Sequence, residues 1–313
     1  MIVPSYSEVF TRGSVNAAHD KVTGLLEPSA NLREKHGVMA AHVLASIQNK
    51  ELPIILINLC PSPVTLRADP RVKDWPLIGS PVYLLVIIAL YLFFVLVAGP
   101  KFMENRRPYN LKKIIAAYNI LQVLANAYLF YGTLTSGWTD KISLGCYPIK
   151  YEDDPDLKLA GMVWKTFILK IVDFLDTMFF VLRKKNNQVT FLHVYHHVST
   201  AGITFIAAKY FPGGGATFPI LPNTLVHVLM YTYYLLALQG PEMQKKLAKF
   251  KKYLTTIQLV QFVMLVAHAF QGFLPGCDFP MTPILIYIPN IVVFFYLFNN
   301  FYINTYNNRE KKD

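Results

Sequence analysis

The chain has 313 residues, 53% of them hydrophobic and only 16% charged, with a formal net charge of +11. Soluble proteins carry about 25% charged residues, so this chain lacks the polar surface a soluble fold of its size needs; disordered, collagen-like and disulfide-rich secreted classes are excluded with it. Its Lys and Arg residues fall in short runs between apolar stretches, a pattern of topology signal and anionic-ligand binding rather than of a nucleic-acid partner.

Residues 1–79 stand apart as an N-terminal segment. They hold a short amphipathic piece at 38–48 and an apolar run at 53–60 that is too short to span, but no apolar run of signal-peptide length. The first spanning helix is therefore expected to direct insertion. Seven segments then approach the roughly 20 apolar residues that a spanning helix needs: 80–99, 114–134, 161–182, 189–209, 217–238, 254–274 and 282–305. The chain reads as an all-α polytopic membrane protein, with a seven-helix domain over 80–306 and a tail over 307–313.

The loops set an expected orientation. Basic residues crowd loop 100–113 (Lys101, Arg106, Arg107, Lys112, Lys113), loop 183–188 (Arg183, Lys184, Lys185), loop 239–253 (Lys245, Lys246, Lys249, Lys251, Lys252) and the tail (Arg309, Lys311, Lys312). The alternate loops are acidic or uncharged, with Asp140, Glu152, Asp153, Asp154 and Asp156 in one and Asp278 in another. The positive-inside rule puts the basic loops and the C-terminus in the cytosol and the N-terminus in the lumen.

Polar residues at helical spacing mark five of the seven helices. The second has Asn119, Gln122 and Asn126; the third Lys170, Asp173, Asp176 and Thr177; the fourth His193, His196 and His197; the fifth His227, Tyr231 and Tyr234; the sixth Thr255, Gln258 and Gln261. The first has no strongly polar residue between Tyr83 and Gly99 and is expected to be peripheral and lipid-facing. A helical rise of 1.5 Å per residue puts Asp176, His196, Gln261 and His227 about 9 to 16 Å below the cytosolic helix ends. Buried polar groups in a membrane are costly unless they face a partner or a wet cavity, so a site open to the cytosol is expected. Plainer roles exist for single elements. Asn and Gln serve as interhelical glue, Lys170 and Asp173 at i,i+3 neutralise each other, and the basic loops serve topology. Three histidines at i, i+3 and i+4 are harder to explain structurally.

Imidazole suits iron and zinc, but only His193, His196, His197 and His227 lie at the site depth, too few for a di-iron cage; Asp176 could complete a mononuclear set. Imidazole also serves as acid, base or nucleophile near neutrality. Asp176 or Asp173 could orient it through its second nitrogen, with tyrosines and glutamines as oxyanion donors. No cysteine falls in the cytosolic half, so histidine is the candidate to hold an acyl group. An imidazole cluster below a basic mouth suits a long apolar chain ending in a phosphorylated carrier, which is the shape of acyl-CoA.

These residues resemble the ELO family of very-long-chain fatty-acid elongases, the 3-oxoacyl-CoA synthases. The resemblance runs over about residues 74–306: Asp74-Trp75-Pro76-Leu77, GPKFMENRRPY from Gly99, KIVDFLDT from Lys170, HVYHH from His193, HVLMYTYY from His227 and TTIQLVQ from Thr255. It implies a seven-helix endoplasmic-reticulum protein in which six helices form an inverted barrel around an acyl tunnel. It implies decarboxylative condensation of malonyl-CoA with a long-chain acyl-CoA, giving 3-oxoacyl-CoA, carbon dioxide and CoA. His196 takes the acyl group or acts as central base, and His227 assists. His193, His197, Asp176, Asp173 and Lys170 complete the expected catalytic set. Asn119, Gln122, Thr177, Tyr231, Tyr234, Gln258, Gln261, Arg106 and Arg107 are expected to bind substrate. No metal or redox cofactor is implied, since the CoA thioesters are substrates. Expected partners are membrane lipid and the reductases and dehydratase of the elongation cycle; oligomeric state stays open, a homodimer among the options.

The chain departs from the family in carrying Asp173 where Glu is usual, in a longer stretch before Asp74, and in a tail with Lys311 third from the end but Glu310 fourth. A histidine-box desaturase or hydroxylase is the alternative, and a seven-helix receptor fits the topology but not a cytosolic polar site. The topology also puts Cys146 and Cys277 in lumenal loops, where disulfides persist; they are expected to pair and leave Cys60 free.

Overall fold

The computed structural model describes residues 68–139, 144–148, 154–277 and 279–307. The expectations for residues 1–67 (Cys60 among them), for Asp140, Glu152, Asp153 and Asp278, and for residues 308–313 lie outside them. All described residues belong to one compact unit, and every element among them is helical. In chain order the α-helices are α1 (Pro81–Phe93), α2 (Gly99–Met103), α3 (Lys112–Thr133), α4 (Asp154–Val172), α5 (Phe174–Leu182), α6 (Phe191–Tyr210), α7 (Ile220–Ala237), α8 (Pro241–Lys246), α9 (Ala248–Phe270) and α10 (Met281–Tyr302).

Among the described residues, five stretches are long and apolar enough to cross a membrane: Pro81–Met103, Lys112–Trp138, Gly214–Ala237, Ala248–Phe273 and Met281–Tyr306. The other two expected spans correspond to α4 with α5 and to α6. Their polar residues depress hydropathy. Lys165, Lys170, Asp173 and Asp176 lie on the first, and three histidines with Ser199, Thr200 and Thr204 lie on the second. Helices also begin earlier than the apolar segments do. α4 starts at Asp154 and α9 at Ala248, because hydropathy finds the buried stretch and not the polar turns that precede it.

The expected third helix is interrupted at Asp173, which separates α4 from α5. Its carboxylate makes no local cap and instead meets Lys170, Gln122 and Tyr231. The start of α6 is fixed by Thr190, whose hydroxyl accepts from the His193 backbone N–H at 3.3 Å, as a Thr N-cap does. The histidine box thus occupies the first two turns of its helix.

Packing brings these helices together. α3 lies along α7, α9 along α10 and α4 along α6; further contacts join α3 to α4, α6 to α10, and α7 to α9. Tyr195 on α6 donates to Asn290 on α10 at 2.9 Å. α1 exposes Val82, Tyr83, Leu85, Val86, Leu90 and Phe93. It is anchored by Tyr91, which stacks on Phe174 with ring centroids 4.3 Å apart and shares a 2.8 Å hydrogen bond with Thr177. Residues 68–80 pack into the same core. Lys209, at the end of α6, donates to the carbonyls of Ile78 and Gly79 at 3.1 and 2.9 Å, and Trp164 donates to the Pro76 carbonyl.

Candidate active site

Five helices converge on one cavity, α5, α6, α7 and α9 with polar side chains and α10 with Phe298. α5 contributes Asp176, α6 contributes His193, His196 and His197, α7 contributes His227, Tyr231 and Tyr234, and α9 contributes Gln258 and Gln261. Apolar groups complete the wall, among them Val226, Met230, Phe262 and Phe298. The imidazoles crowd one another. The ring centroids of His193 and His197 are 4.4 Å apart, and those of His196 and His197 are 5.5 Å apart. His196 also packs against Phe294 at 5.1 Å, and His227 against Tyr231 at 5.8 Å.

Hydrogen-bond bookkeeping separates two groups of polar residues. Both ring nitrogens of His193, Nδ1 of His197, Nδ1 of His227 and Oε1 of Gln261 are buried without a partner. Buried polar groups ordinarily find partners, so this concentration of open donors and acceptors in one cavity suits a polar ligand. The carboxylates, by contrast, are engaged. Gln122 donates to Asp173 Oδ1 at 2.7 Å and to the Tyr118 hydroxyl at 2.7 Å. Lys170 pairs with Asp173 Oδ2 at 3.2 Å. Tyr231 donates to Asp176 Oδ2 at 2.8 Å.

The expected residues therefore divide by position. Asp176, the four histidines, Tyr231, Tyr234, Gln258 and Gln261 share the cavity. Lys170, Asp173 and Gln122 form a buried network behind it. Thr177 points to Tyr91 on α1. Asn119 is buried with its side-chain nitrogen unpartnered, outside the cavity wall. Arg106 and Arg107 are exposed, and the Arg106 guanidinium sits 4.0 Å over the Phe102 ring. Asp176 receives its hydrogen bond from Tyr231 and, among the described residues, none from an imidazole. Sequence reasoning missed Tyr118, although it lies one helical turn before Gln122 on the same stripe, and it missed the apolar wall of Met230, Phe262 and Phe298, which composition cannot distinguish from lipid-facing residues. Among the described residues no three His, Cys, Asp or Glu side chains are grouped to hold a metal ion.

A second, larger and mostly apolar cavity lies further along α6, α9 and α10. It is bounded by Ile203, Ile206 and Ala207 of α6, Val163 of α4, His268 at the end of α9, and Ile284 and Tyr287 of α10. Cys146 and Cys277 also line it and are joined by a disulfide, with Cα atoms 5.6 Å apart.

The family model described as ELO, GNS1/SUR4 family, matches residues 76–313. Among curated proteins, very long chain fatty acid elongase 7 of Drosophila melanogaster is 41% identical over 249 residues, covering 79% of this chain and 75% of that protein. Elongase 7 of Rattus norvegicus is 42% identical over 243 residues, 76% of this chain and 86% of that one. Very long chain fatty acid elongase 4 of Mus musculus is 42% identical over 241 residues, 77% of each.

Proposed function

This chain belongs to the ELO, GNS1/SUR4 family, and from that membership we propose that it is the condensing enzyme of fatty-acid elongation, a very-long-chain 3-oxoacyl-CoA synthase. It joins malonyl-CoA to a long-chain acyl-CoA and releases carbon dioxide and CoA. What carries this function in the geometry is the succession of two cavities along α6 and α9. The imidazole cavity meets residues 193–197 and 258–262, and the apolar cavity meets 203–211 and 268–272. The step of six residues on each helix, from 197 to 203 and from 262 to 268, amounts to about 9 Å at 1.5 Å per residue. A thioester at the first cavity would extend its chain into the second.

The helix contacts support a ring in the order α3, α7, α9, α10, α6 and α4 with α5, closing on α3, and α1 outside it. Such a ring agrees with the proposed six-helix barrel and peripheral first helix, seven spans in all. The basic residues of 100–113, 183–188 and 239–253 support a cytosolic position for the imidazole end; with that orientation the disulfide would face the lumen of the endoplasmic reticulum and the C-terminus the cytosol. Arg106 and Arg107 would then meet the phosphates of CoA at the mouth.

In the chemistry we propose, His196 is the central imidazole. As nucleophile, its ring nitrogen attacks the acyl thioester carbonyl, the carbon–sulfur bond breaks, and CoA leaves as the thiol after taking up a proton. Malonyl-CoA loses its free carboxylate as carbon dioxide, and the electrons of that bond form an enolate. The enolate carbon attacks the acyl carbonyl and releases the imidazole. As base, His196 would instead hold a proton while the enolate carbon attacks the thioester carbonyl directly, and would give that proton to the CoA thiolate released as the carbon–sulfur bond breaks. His227 assists by hydrogen bonding to the oxygen on which charge develops. The sequence written this way draws on neither a metal nor a redox cofactor.

The test uses microsomes expressing the full chain, a panel of acyl-CoAs and labelled malonyl-CoA. His196→Ala is expected to abolish labelled product at normal expression, and near-wild-type turnover would remove His196 from the mechanism. Incubating purified wild-type protein with acyl-CoA alone separates the two roles: a mass increase equal to the acyl group marks the nucleophile, and its absence the base.

A further inference from the structure

The apolar cavity next to the disulfide is not wholly apolar. His268 and Gln271, at i and i+3 on the last turn of α9 and the turn that follows, both line it. Nε2 of His268 and Oε1 of Gln271 are buried and have no hydrogen-bond partner among the described residues. The His268 ring is stacked on Phe218, with centroids 4.0 Å apart and planes 12° apart. That stack covers a ring face and leaves the polar edge of the ring uncovered by Phe218. Two unpartnered groups in the wall of a mostly apolar cavity are a disadvantage if only methyl groups reach them, because each stays desolvated without compensation.

We propose that the His268–Gln271 wall of the apolar cavity recognises a hydrogen-bonding group at the far terminus of the acyl chain, so that the enzyme accepts ω-hydroxyacyl-CoA and prefers it over the unsubstituted chain of equal length. A terminal hydroxyl has the chemistry that both groups require. It donates to Gln271 Oε1 and, through its oxygen, accepts from His268 when Nε2 carries the ring proton; with the other tautomer it donates to Nε2. This rests on the elongase function and refines it to a substrate class. It also assigns His268 and Gln271 as specificity residues far from the imidazole cavity. A site built around a hydroxyl discriminates against the analogue lacking it more sharply than an apolar pocket discriminates between chain lengths.

The experiment measures kcat/KM for matched pairs of unsubstituted and ω-hydroxyacyl-CoA across a series of chain lengths, with labelled malonyl-CoA and full-length protein in microsomes. At the length that fills both cavities, the wild type is expected to favour the hydroxylated chain by roughly 3- to 10-fold, the worth of one net hydrogen bond. Gln271→Met and His268→Phe are each expected to bring that ratio down to one or below. The ratio is internal to each preparation, so loss of folded protein cancels, and two independent variants guard against failure of either. A wild-type preference for the unsubstituted chain at every length would overturn the proposal, as would equal rates, which would mean that water satisfies both groups. Elongation of unsubstituted chains without a hydroxyl preference removes only this inference. If no acyl-CoA is elongated, the elongase function itself falls; thermal protection by free ω-hydroxy against unsubstituted fatty acids then decides the cavity's preference, and equal protection overturns it.

Discussion

The Tyr231 hydroxyl lies 2.8 Å from Asp176 Oδ2 and 3.5 Å from Asp173 Oδ1, so one phenol on α7 bridges the two carboxylates that flank the start of α5. Tyr231 is fully buried, and its ring meets Tyr118 edge-on at 6.0 Å. Tyr118 in turn accepts from Gln122, which also donates to Asp173. Three helices are joined through this network beside the imidazoles, and Tyr231 and Asp176 are the members that also line their cavity.

Tyr231→Phe keeps the ring and its packing and removes only the bridge. Leaving a buried carboxylate short of a donor costs about 1–3 kcal/mol, and Asp176 is free to shift within the cavity. Turnover at saturating substrate is expected to fall on the order of 10-fold, as about 1.4 kcal/mol of lost positioning would give, with the protein still folded by its melting curve in detergent. Unchanged initial rates would make Tyr231 a packing residue.

Lys170 and Asp173 are both almost fully buried and pair at 3.2 Å. Removing one member of such a pair strands the other charge and costs roughly 3–5 kcal/mol, whereas removing both costs far less. Lys170→Met is therefore expected to lower thermal stability sharply, and adding Asp173→Asn to recover most of the loss, since Gln122 can still donate to the Asn carbonyl oxygen. Melting temperatures of the two single variants and the double close this cycle. Additive losses would show that the two side chains act independently.

Tyr91 is the polar group that reading α1 as simply lipid-facing overlooked. Its hydroxyl meets Thr177 while its ring stacks on Phe174. Interhelical hydrogen bonds of this kind average about 0.6 kcal/mol in membranes, and losing a buried aromatic ring costs about 3–5 kcal/mol. Tyr91→Phe is thus expected to be nearly silent in stability, and Tyr91→Ala to be severe. Comparable melting temperatures for the two would mean that α1 is not docked through this ring.

Periodicity and hydropathy made most of the helices legible, because a spanning segment must satisfy its backbone internally and present apolar side chains. The same criterion weakened over α4, α5 and α6, which lose apolar character to their buried polar residues. The imidazole cavity was legible too. Polar residues at helical spacing converge when helices of similar register pack together, as His196, His227 and Gln261 do. The division of labour among the polar residues was not legible. Spacing puts Gln122 and Gln261 on equivalent stripes, but only helix rotation decides that Gln122 meets Asp173 while Gln261 faces the cavity. Helix rotation is set by packing across the bundle, through pairs distant in sequence such as Tyr195 with Asn290, and a single helix does not encode it.

The Cys146–Cys277 bond joins positions 131 residues apart and closes the wall of the larger cavity. The segment around Cys146 is also held from below. The Gly215 N–H donates to the Tyr147 carbonyl at 2.9 Å, and Gly214, at φ +53°, leaves no space for a Cβ beside the Pro148 carbonyl. The chain-entropy model gives a loop of this size about 4–5 kcal/mol, an upper figure where spanning helices already restrain the unfolded chain. Cys146→Ser, Cys277→Ser and the double variant are expected to lose the same melting temperature, since each removes the same single bond; the second substitution adds nothing. A non-reduced digest of the wild type should yield a linked peptide carrying both cysteines, with neither alkylated before reduction. Because both residues wall the apolar cavity, the variants should also loosen the upper limit on acyl length, so that products one or two condensation rounds longer accumulate. Free, alkylatable Cys146 and Cys277 in wild-type protein would remove the bond, and an unchanged product spectrum in the variants would remove its part in limiting chain length.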